Sequence, residues 1–414
     1  MTDAPVVLQV LPALGIGGVE RGTVEMAEAI AASGGFALVA SAGGRLVGAV
    51  ERVGGRNFIV PLDTKNPFRI WRNAARLAKI IRAERVTIVH ARSRAPAWSA
   101  WIACQRTGAH FVTTYHGAYQ ENFPLKRRYN SVMAKGERVI AISRFIAARI
   151  VAQHGLDPAR IRVIPRGVDI RVFDPDAVAG DRMAALARAW RLPDGVPVVM
   201  LPGRLAGWKG QSVLIDALAR MPDLNICCVL VGSGGERITR RLLKQAERLG
   251  VGQKLRLVGA TDDMPAALML ADVVIHASIT PEAFGRVVIE AQAMGRPVIA
   301  SDIGGPVETV EHGVTGWRVP PGDPAALAET LRDVLAMPLA QRQALAGVTR
   351  ANVARFYTKR AMQEATLDVY EAVLTAARVA ATSTGHRQGR FLSETRLCLP
   401  SPCPTAPCAS STAP

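Results

Sequence analysis

Apolar positions in the first 165 residues alternate between two rhythms. Short β-branched runs at residues 6–11, 36–40, 87–90, 111–114, 139–142 and 161–164 are mostly apolar, which suits strands buried on both faces. Between them, residues 19–32, 68–83, 97–106 and the stretch from Phe145 repeat apolar side chains three and four apart, as helices with one buried face do. Strand, helix and strand in alternation predict a doubly wound α/β domain around a parallel sheet. The rhythm breaks at Pro165-Arg166-Gly167-Val168-Asp169, the predicted hinge. It resumes at 198–201, 211–220, 226–231, 236–249, 255–258, 273–276, 287–294 and 298–300, and helical patterns run from 324 to about 377. The predicted organisation is a first domain over 1–165, a second over 166–360, a helix over 361–380 returning to the first domain, and a disordered tail over 381–414.

Composition narrows the class. The 414 residues are 49% hydrophobic and 21% charged, which is globular, and no apolar run approaches the roughly 18 residues of a membrane span. Met1 to Pro5 carries Asp3 and no Lys or Arg, the wrong sign for a secretory leader, so a cytoplasmic protein is expected. No Cys-x-x-Cys or Cys/His spacing suits zinc. The net charge of +17 is concentrated in residues 1–165, which hold 23 basic and 10 acidic side chains. A basic half implies an anionic partner: a phosphorylated substrate, an acidic lipid surface or nucleic acid.

Two facing domains of this kind bring the carboxyl ends of two sheets to one cleft, where ligands of such sheets bind. Thr280 to Val298 supplies the strongest candidate: Glu282 and Glu290, with seven residues between them, and Phe284-Gly285 opening a helix directly after a strand end. Exposed amides at such a helix start bind phosphate oxygens. Glu290, flanked by apolar residues, needs partners that the vicinal hydroxyls of a ribose would supply, and Glu282 would reach the group beyond the phosphates. Arg204 and Lys209, set among Gly203, Gly207 and Gly210 at another strand end, form a cationic cradle for a departing diphosphate. Asp174-Pro175-Asp176 spells a metal-binding triplet, but it stands in the irregular stretch after the hinge, so no metal is expected.

The strings Gly203-Arg204 to Lys209-Gly210 and Pro281 to Gly305 resemble the retaining glycosyltransferases of the GT-B fold, family 4, over residues 6 to about 376. The resemblance implies two Rossmann-like domains across a cleft and transfer of a hexose from a nucleotide-diphosphate sugar, with no cofactor. It implies roles for His116 beside the donor sugar and, as donor contacts, for Gly17 and Gly18 in the first glycine loop and for Gly232. Arg166 departs from the family pattern, in which Asn is commoner. More narrowly, residues 90–98 and 115–119 look like enzymes of bacterial lipopolysaccharide core assembly. That likeness implies an anionic glycolipid or oligosaccharide acceptor and a peripheral place on the inner membrane, with Arg92, Arg94, Lys126, Arg127 and Arg128 as acceptor or membrane contacts. The rival enzymes are a GT-B epimerase or a sucrose-type synthase. A basic nucleic-acid-binding protein is the rival of another class, disfavoured because aromatics are only 5% and not interleaved with the cations.

Overall fold

The computed structural model describes residues 4–15, 17–119, 121 and 123–393, with side chains to residue 379. Residues 1–370 form one compact unit and 371–414 a second; in the latter the described residues continue the helix Lys359–Ser393. The helix therefore runs past residue 380, where composition alone set the start of a disordered tail; residues 394–414 lie outside the described residues.

The first unit holds two parallel sheets. Strands β1 (Val6–Val10), β2 (Phe36–Ser41), β3 (Arg56–Ile59), β4 (Ile88–Ala91), β5 (His110–Tyr115), β6 (Arg138–Ala141) and β7 (Ile161–Val163) lie in the order 3-2-1-4-5-6-7. Strands β8 (Val198–Pro202), β9 (Cys227–Val231), β10 (Leu255–Gly259), β11 (Val273–His276), β12 (Val298–Ser301) and β13 (Trp317–Val319) lie in the order 10-9-8-11-12-13. Each order reverses beside its first strand, the switch point of a doubly wound sheet. The central strands are buried throughout because helices cover both faces; Leu8 and Val10 on β1 and every residue of β8 are buried. This is the expected pair of Rossmann-like domains.

The chain passes between the sheets at the predicted hinge and again before the last helix, and the two crossings are stitched together. Val168 N donates to Tyr357 O at 2.9 Å and Lys359 N to Val168 O at 2.8 Å. Gly167 lies so close to the second crossing that a Cβ there would fall 2.3 Å from Thr358 O. The start of the helix Lys359–Ser393 then packs on the first domain. Lys359 Nζ meets Glu28 at 3.1 Å and Asp169 at 2.6 Å, and Tyr370 Oη lies 2.6 Å from His90 Nδ1. Glu308 of the second domain caps the helix Arg144–His154 of the first, accepting from the amides of Arg144 (2.9 Å) and Phe145 (2.7 Å).

Candidate functional site

Between the two sheets lies a cavity of about 650 Å³. The first domain contributes Gly18 after β1, His116 and Gly117 after β5, and Arg149; the hinge contributes Arg166; the second domain contributes Arg204, Trp208, Glu282 and residues 283–286. Two helices begin on it: Gly18–Ala32 from the first domain and Arg286–Ala293 from the second. The first amides of a helix have no acceptor within it, so two partial positive charges face one volume. Gly285 takes φ of +78° at the start of the second helix, a conformation that disfavours a side chain, and a Cβ there would lie 2.8 Å from the Pro306 ring.

Lys209, predicted to cradle the diphosphate, and Glu282, predicted to reach the group beyond it, are joined. Glu282 Oε1 takes Lys209 Nζ at 2.7 Å, lies 3.0 Å from His276 Nε2, and accepts from Ser278 Oγ. Burial alone would raise this carboxyl, but His276 and Lys209 outweigh it and hold it well below the usual carboxylate range. Glu282 is therefore ionised, with its charge already answered. His116 Nε2 is buried without a hydrogen-bond partner among the described residues. Burial, reinforced by Arg92 and Arg166, pushes the His116 imidazole well below its usual pKa, so it meets the cavity neutral.

Glu290 is 7% exposed and is not among the residues lining the cavity; Arg286 Nε sits 3.0 Å from its Oε1. Burial raises the Glu290 carboxyl despite Arg286, so that one pair does not fully compensate it. Arg286 also reaches across to the first domain, donating to Glu25 Oε1 at 3.0 Å, and Glu25 Oε2 lies 3.7 Å from Arg166. Arg166 in turn donates to Gly18 O at 2.9 Å; burial lowers its pKa to about 9 against the pull of Glu25. A chain of charges thus runs from the first glycine loop to Glu290 through Arg166, Glu25 and Arg286. The sequence reading missed Glu25 and Arg286, whose only signal was Arg286 beside Gly285 within the motif.

The remaining predicted residues fall as follows. Gly203 and Gly232 pack backbone to backbone, where a Cβ on Gly232 would stand 2.0 Å from Gly203 O; neither is among the residues lining the cavity, nor is Gly17, the residue before the helix Gly18–Ala32. Arg92 is corrected: it is 2% exposed, donating to Gln9 Oε1 at 3.0 Å, and touches neither solvent nor membrane. A cation directly after a strand looked like a surface group, but Gln9 within the apolar β1 offers it a buried acceptor. Arg94 stacks on the Tyr119 ring at 4.1 Å and bonds Asn130 at 2.9 Å. Arg127 and Arg128 are exposed and, with Lys135 and Arg160, line a second groove of about 740 Å³; Lys126 is half-buried. Asp174 and Asp176 pair with Arg350 at 3.2 and 3.3 Å. Among the described residues no group of three or more His, Cys, Asp or Glu is placed to hold a metal, and no helix is long and apolar enough to cross a membrane.

Comparison with known proteins agrees with this architecture. Residues 16–172 match the model for Glycosyltransferase Family 4, and residues 184–350 that for Glycosyl transferases group 1. A D-inositol 3-phosphate glycosyltransferase of Salinispora arenicola (strain CNS-205) is 36% identical over 262 residues, 57% of this chain; the match spans 58% of that relative's length. The crystal structure of a glycosyltransferase from Rickettsia africae ESF-5 superposes with a TM-score of 0.83 at 35% identity, covering 90% of this chain and 99% of that one. WaaG, a glycosyltransferase involved in lipopolysaccharide biosynthesis, is similar at a TM-score of 0.70 and 19% identity over 87% of this chain and 98% of its own, a likeness of fold alone. With its two parallel-sheet domains matched along their length, the chain belongs to the GT-B glycosyltransferases of group 1 and family 4.

Proposed function

We propose that the protein is a retaining glycosyltransferase that moves a hexose from a nucleotide-diphosphate sugar to an anionic, phosphate-bearing acceptor of the cell envelope. The observation that carries this reading is the charge of the cavity. Arg149, Arg166, Arg204 and Arg286 line it together with two helix starts, and Glu282, its one lining carboxylate among the described residues, is already paired with Lys209. Such a volume favours a diphosphate, with positive charge to spare for an anionic acceptor.

In the proposed reaction the bond between the sugar C1 and the β-phosphate oxygen breaks while the acceptor oxygen bonds to C1 on the same face. Arg204 and the start of the helix Arg286–Ala293, both on the cavity, stabilise the charge gathering on the leaving diphosphate, and Lys209, which is not among the residues lining the cavity, adds its cation through its pair with Glu282. Glu282, held ionised by three donors, is a weak base, which supports passing the acceptor proton to the departing phosphate rather than to the protein. Neutral His116 presents Nε2 to a sugar hydroxyl. Glu290 takes the ribose hydroxyls as Arg286 yields its Nε contact. Gly18, Phe284 and Gly285 line the donor's bed, while Gly17, Gly203 and Gly232 stand outside the lining and set the backbone around it.

The lipopolysaccharide-core likeness of the sequence and the D-inositol 3-phosphate named for the Salinispora relative share an anionic acceptor. The test is nucleoside diphosphate release from a panel of UDP-, GDP- and ADP-hexoses with an inositol phosphate, with a lipid A core oligosaccharide, and with no acceptor. Acceptor-dependent release with a product of retained anomeric configuration is expected. Release without transfer, epimerised free sugar nucleotide, or an inverted product refutes the reading.

A further inference from the structure

The arginines of the cavity suit phosphates, but the ring of a sugar or a cyclitol also carries a face of C–H groups, which cations do not recognise. Among the described residues lining the cavity, the aromatic ones are Phe284 and Trp208. Phe284 is 4% exposed and stands edge-on to Tyr357 with ring centres 6.0 Å apart, so its ring belongs to the core. Trp208 is 39% exposed, although it lies in the glycine-rich loop between Arg204 and Lys209, whose charges leave it no part in holding a diphosphate.

The backbone under Trp208 is held on several sides. Trp208 sits in the short turn Gly207–Lys209 after β8, and its carbonyl accepts from Ile279 N at 2.9 Å. Lys209 N donates to Ala206 O at 3.0 Å, and Gln211 Nε2 donates to Arg204 O at 3.0 Å. Gly210 closes the turn so near the end of β11 that a Cβ there would fall 1.8 Å from Ala277 O. The ring is held as well: Lys209 Nζ lies over the indole, 4.6 Å from its centroid, and the same ammonium reaches Glu282 Oε1 at 2.7 Å. The indole is thus tied to the carboxylate of the site, and its remaining surface stays open to the cavity.

We propose that the open surface of the Trp208 indole is a stacking platform for the saturated, hydroxyl-bearing ring of the acceptor, selecting acceptors by their C–H face as the arginines select them by charge. The proposal rests on the transfer reading of the site. In that reading the ribose goes to Glu290, the diphosphate to Arg204 and the start of the helix Arg286–Ala293, and the transferred hexose to Glu282. Trp208 meets the Glu282 end of this series through Lys209, so the nucleobase lies at the other end from it. Beside it the Lys209 and Glu282 side chains are only 18% and 14% exposed. An enclosed hexose with an open indole next to it leaves the indole to the acceptor, which must reach C1 from outside the donor. Stacking removes apolar surface of both partners from water, and the negative face of the indole attracts polarised C–H groups.

The test is calorimetric titration of the full chain, saturated with whichever of UDP, GDP and ADP it binds, with D-inositol 3-phosphate, with a lipid A core oligosaccharide, and with glycerol 3-phosphate as an anion that has no ring. Tighter binding of a ring-bearing ligand than of glycerol 3-phosphate is expected, with that preference weakened about tenfold or more in Trp208→Ala and glycerol 3-phosphate binding unchanged. Trp208→Phe should restore most of the affinity while losing the change in tryptophan emission that the ligand causes. Thermal melts identify any variant that fails to fold. Transfer is assayed apart: ring binding that depends on Trp208 without any transfer refutes the transfer reading alone, whereas transfer indifferent to Trp208→Ala refutes the platform alone. No preference for a ring in the wild type, an equal loss for glycerol 3-phosphate, a fall in nucleoside diphosphate affinity in Trp208→Ala, or a raised donor KM with acceptor KM unchanged would each overturn the proposal.

Discussion

Removing the Lys209 cation while leaving Glu282 in place separates what the pair does for folding from what it does for chemistry. In Lys209→Met the Glu282 carboxylate keeps His276 and Ser278 but loses its 2.7 Å ammonium partner. Breaking a buried pair on one side costs about 3–5 kcal/mol. The side chains here are 18% and 14% exposed and His276 remains, so a cost of roughly 2–3 kcal/mol is expected. With an unfolding entropy near 2.1 cal/mol/K per residue, a cooperative unit of residues 1–370 loses roughly 1.3 °C of Tm per kcal/mol, hence about 3–4 °C here. In the double variant Lys209→Met/Glu282→Gln the stranded charge is gone, and most of that loss should return. Activity should not return: a cation aimed at the leaving diphosphate is worth about a hundredfold in kcat, and the double variant lacks it as the single does. Differential scanning calorimetry and initial rates with saturating donor measure the two quantities side by side. A double variant no more stable than the single, or wild-type turnover in Lys209→Met, would refute the reasoning.

Three other outcomes follow from the geometry. Glu290→Ala should weaken nucleotide-sugar binding by about tenfold or more in calorimetric titration, as two ribose hydrogen bonds are lost; unchanged affinity removes Glu290 from the donor site. Glu308→Ala removes an acceptor from two amides at the start of the helix Arg144–His154, and a loss of about 1–2 kcal/mol is expected in denaturant melts, with none meaning that the cap is idle. His90 and His116 have folded pKa values pushed below the ordinary value by burial, so below about pH 6.5 the unfolded chain takes up protons that the folded chain refuses. Stability should therefore be full above that pH and fall below it by up to about 1.4 kcal/mol per pH unit for each histidine; His116→Asn should flatten the slope, and an unchanged slope would show that His116 titrates freely.

The centre of each sheet was legible because strands covered on both faces read as unbroken apolar runs. The edges were not. β3 (Arg56–Ile59) and β13 (Trp317–Val319) are outermost, short and partly exposed, so their sequences carry neither continuous apolarity nor clean alternation. In the candidate site, glycines and charges at strand ends were visible as motif, and the fold gathers His116, Arg204, Glu282, Phe284 and Gly285 around one cavity. Contacts between motifs were invisible. Nothing in the spacing foretold that Glu282 would close onto Lys209, or that Arg286 would bridge Glu290 to Glu25, 261 positions from it in sequence. Arg92 misled because linear sequence does not distinguish a cation facing water from one facing Gln9.

The stitched crossing at Gly167 and Thr358 limits how the two halves move. A single covalent tether would let them slide, splay or swing. Two parallel-running tethers clasped by hydrogen bonds behave as an axle instead: shear would tear the clasp, whereas rotation about it leaves the bonds intact. Relative motion of the halves is then restricted to a swing about the clasp, and any bulk placed at residue 167 jams the bearing rather than the cavity residues.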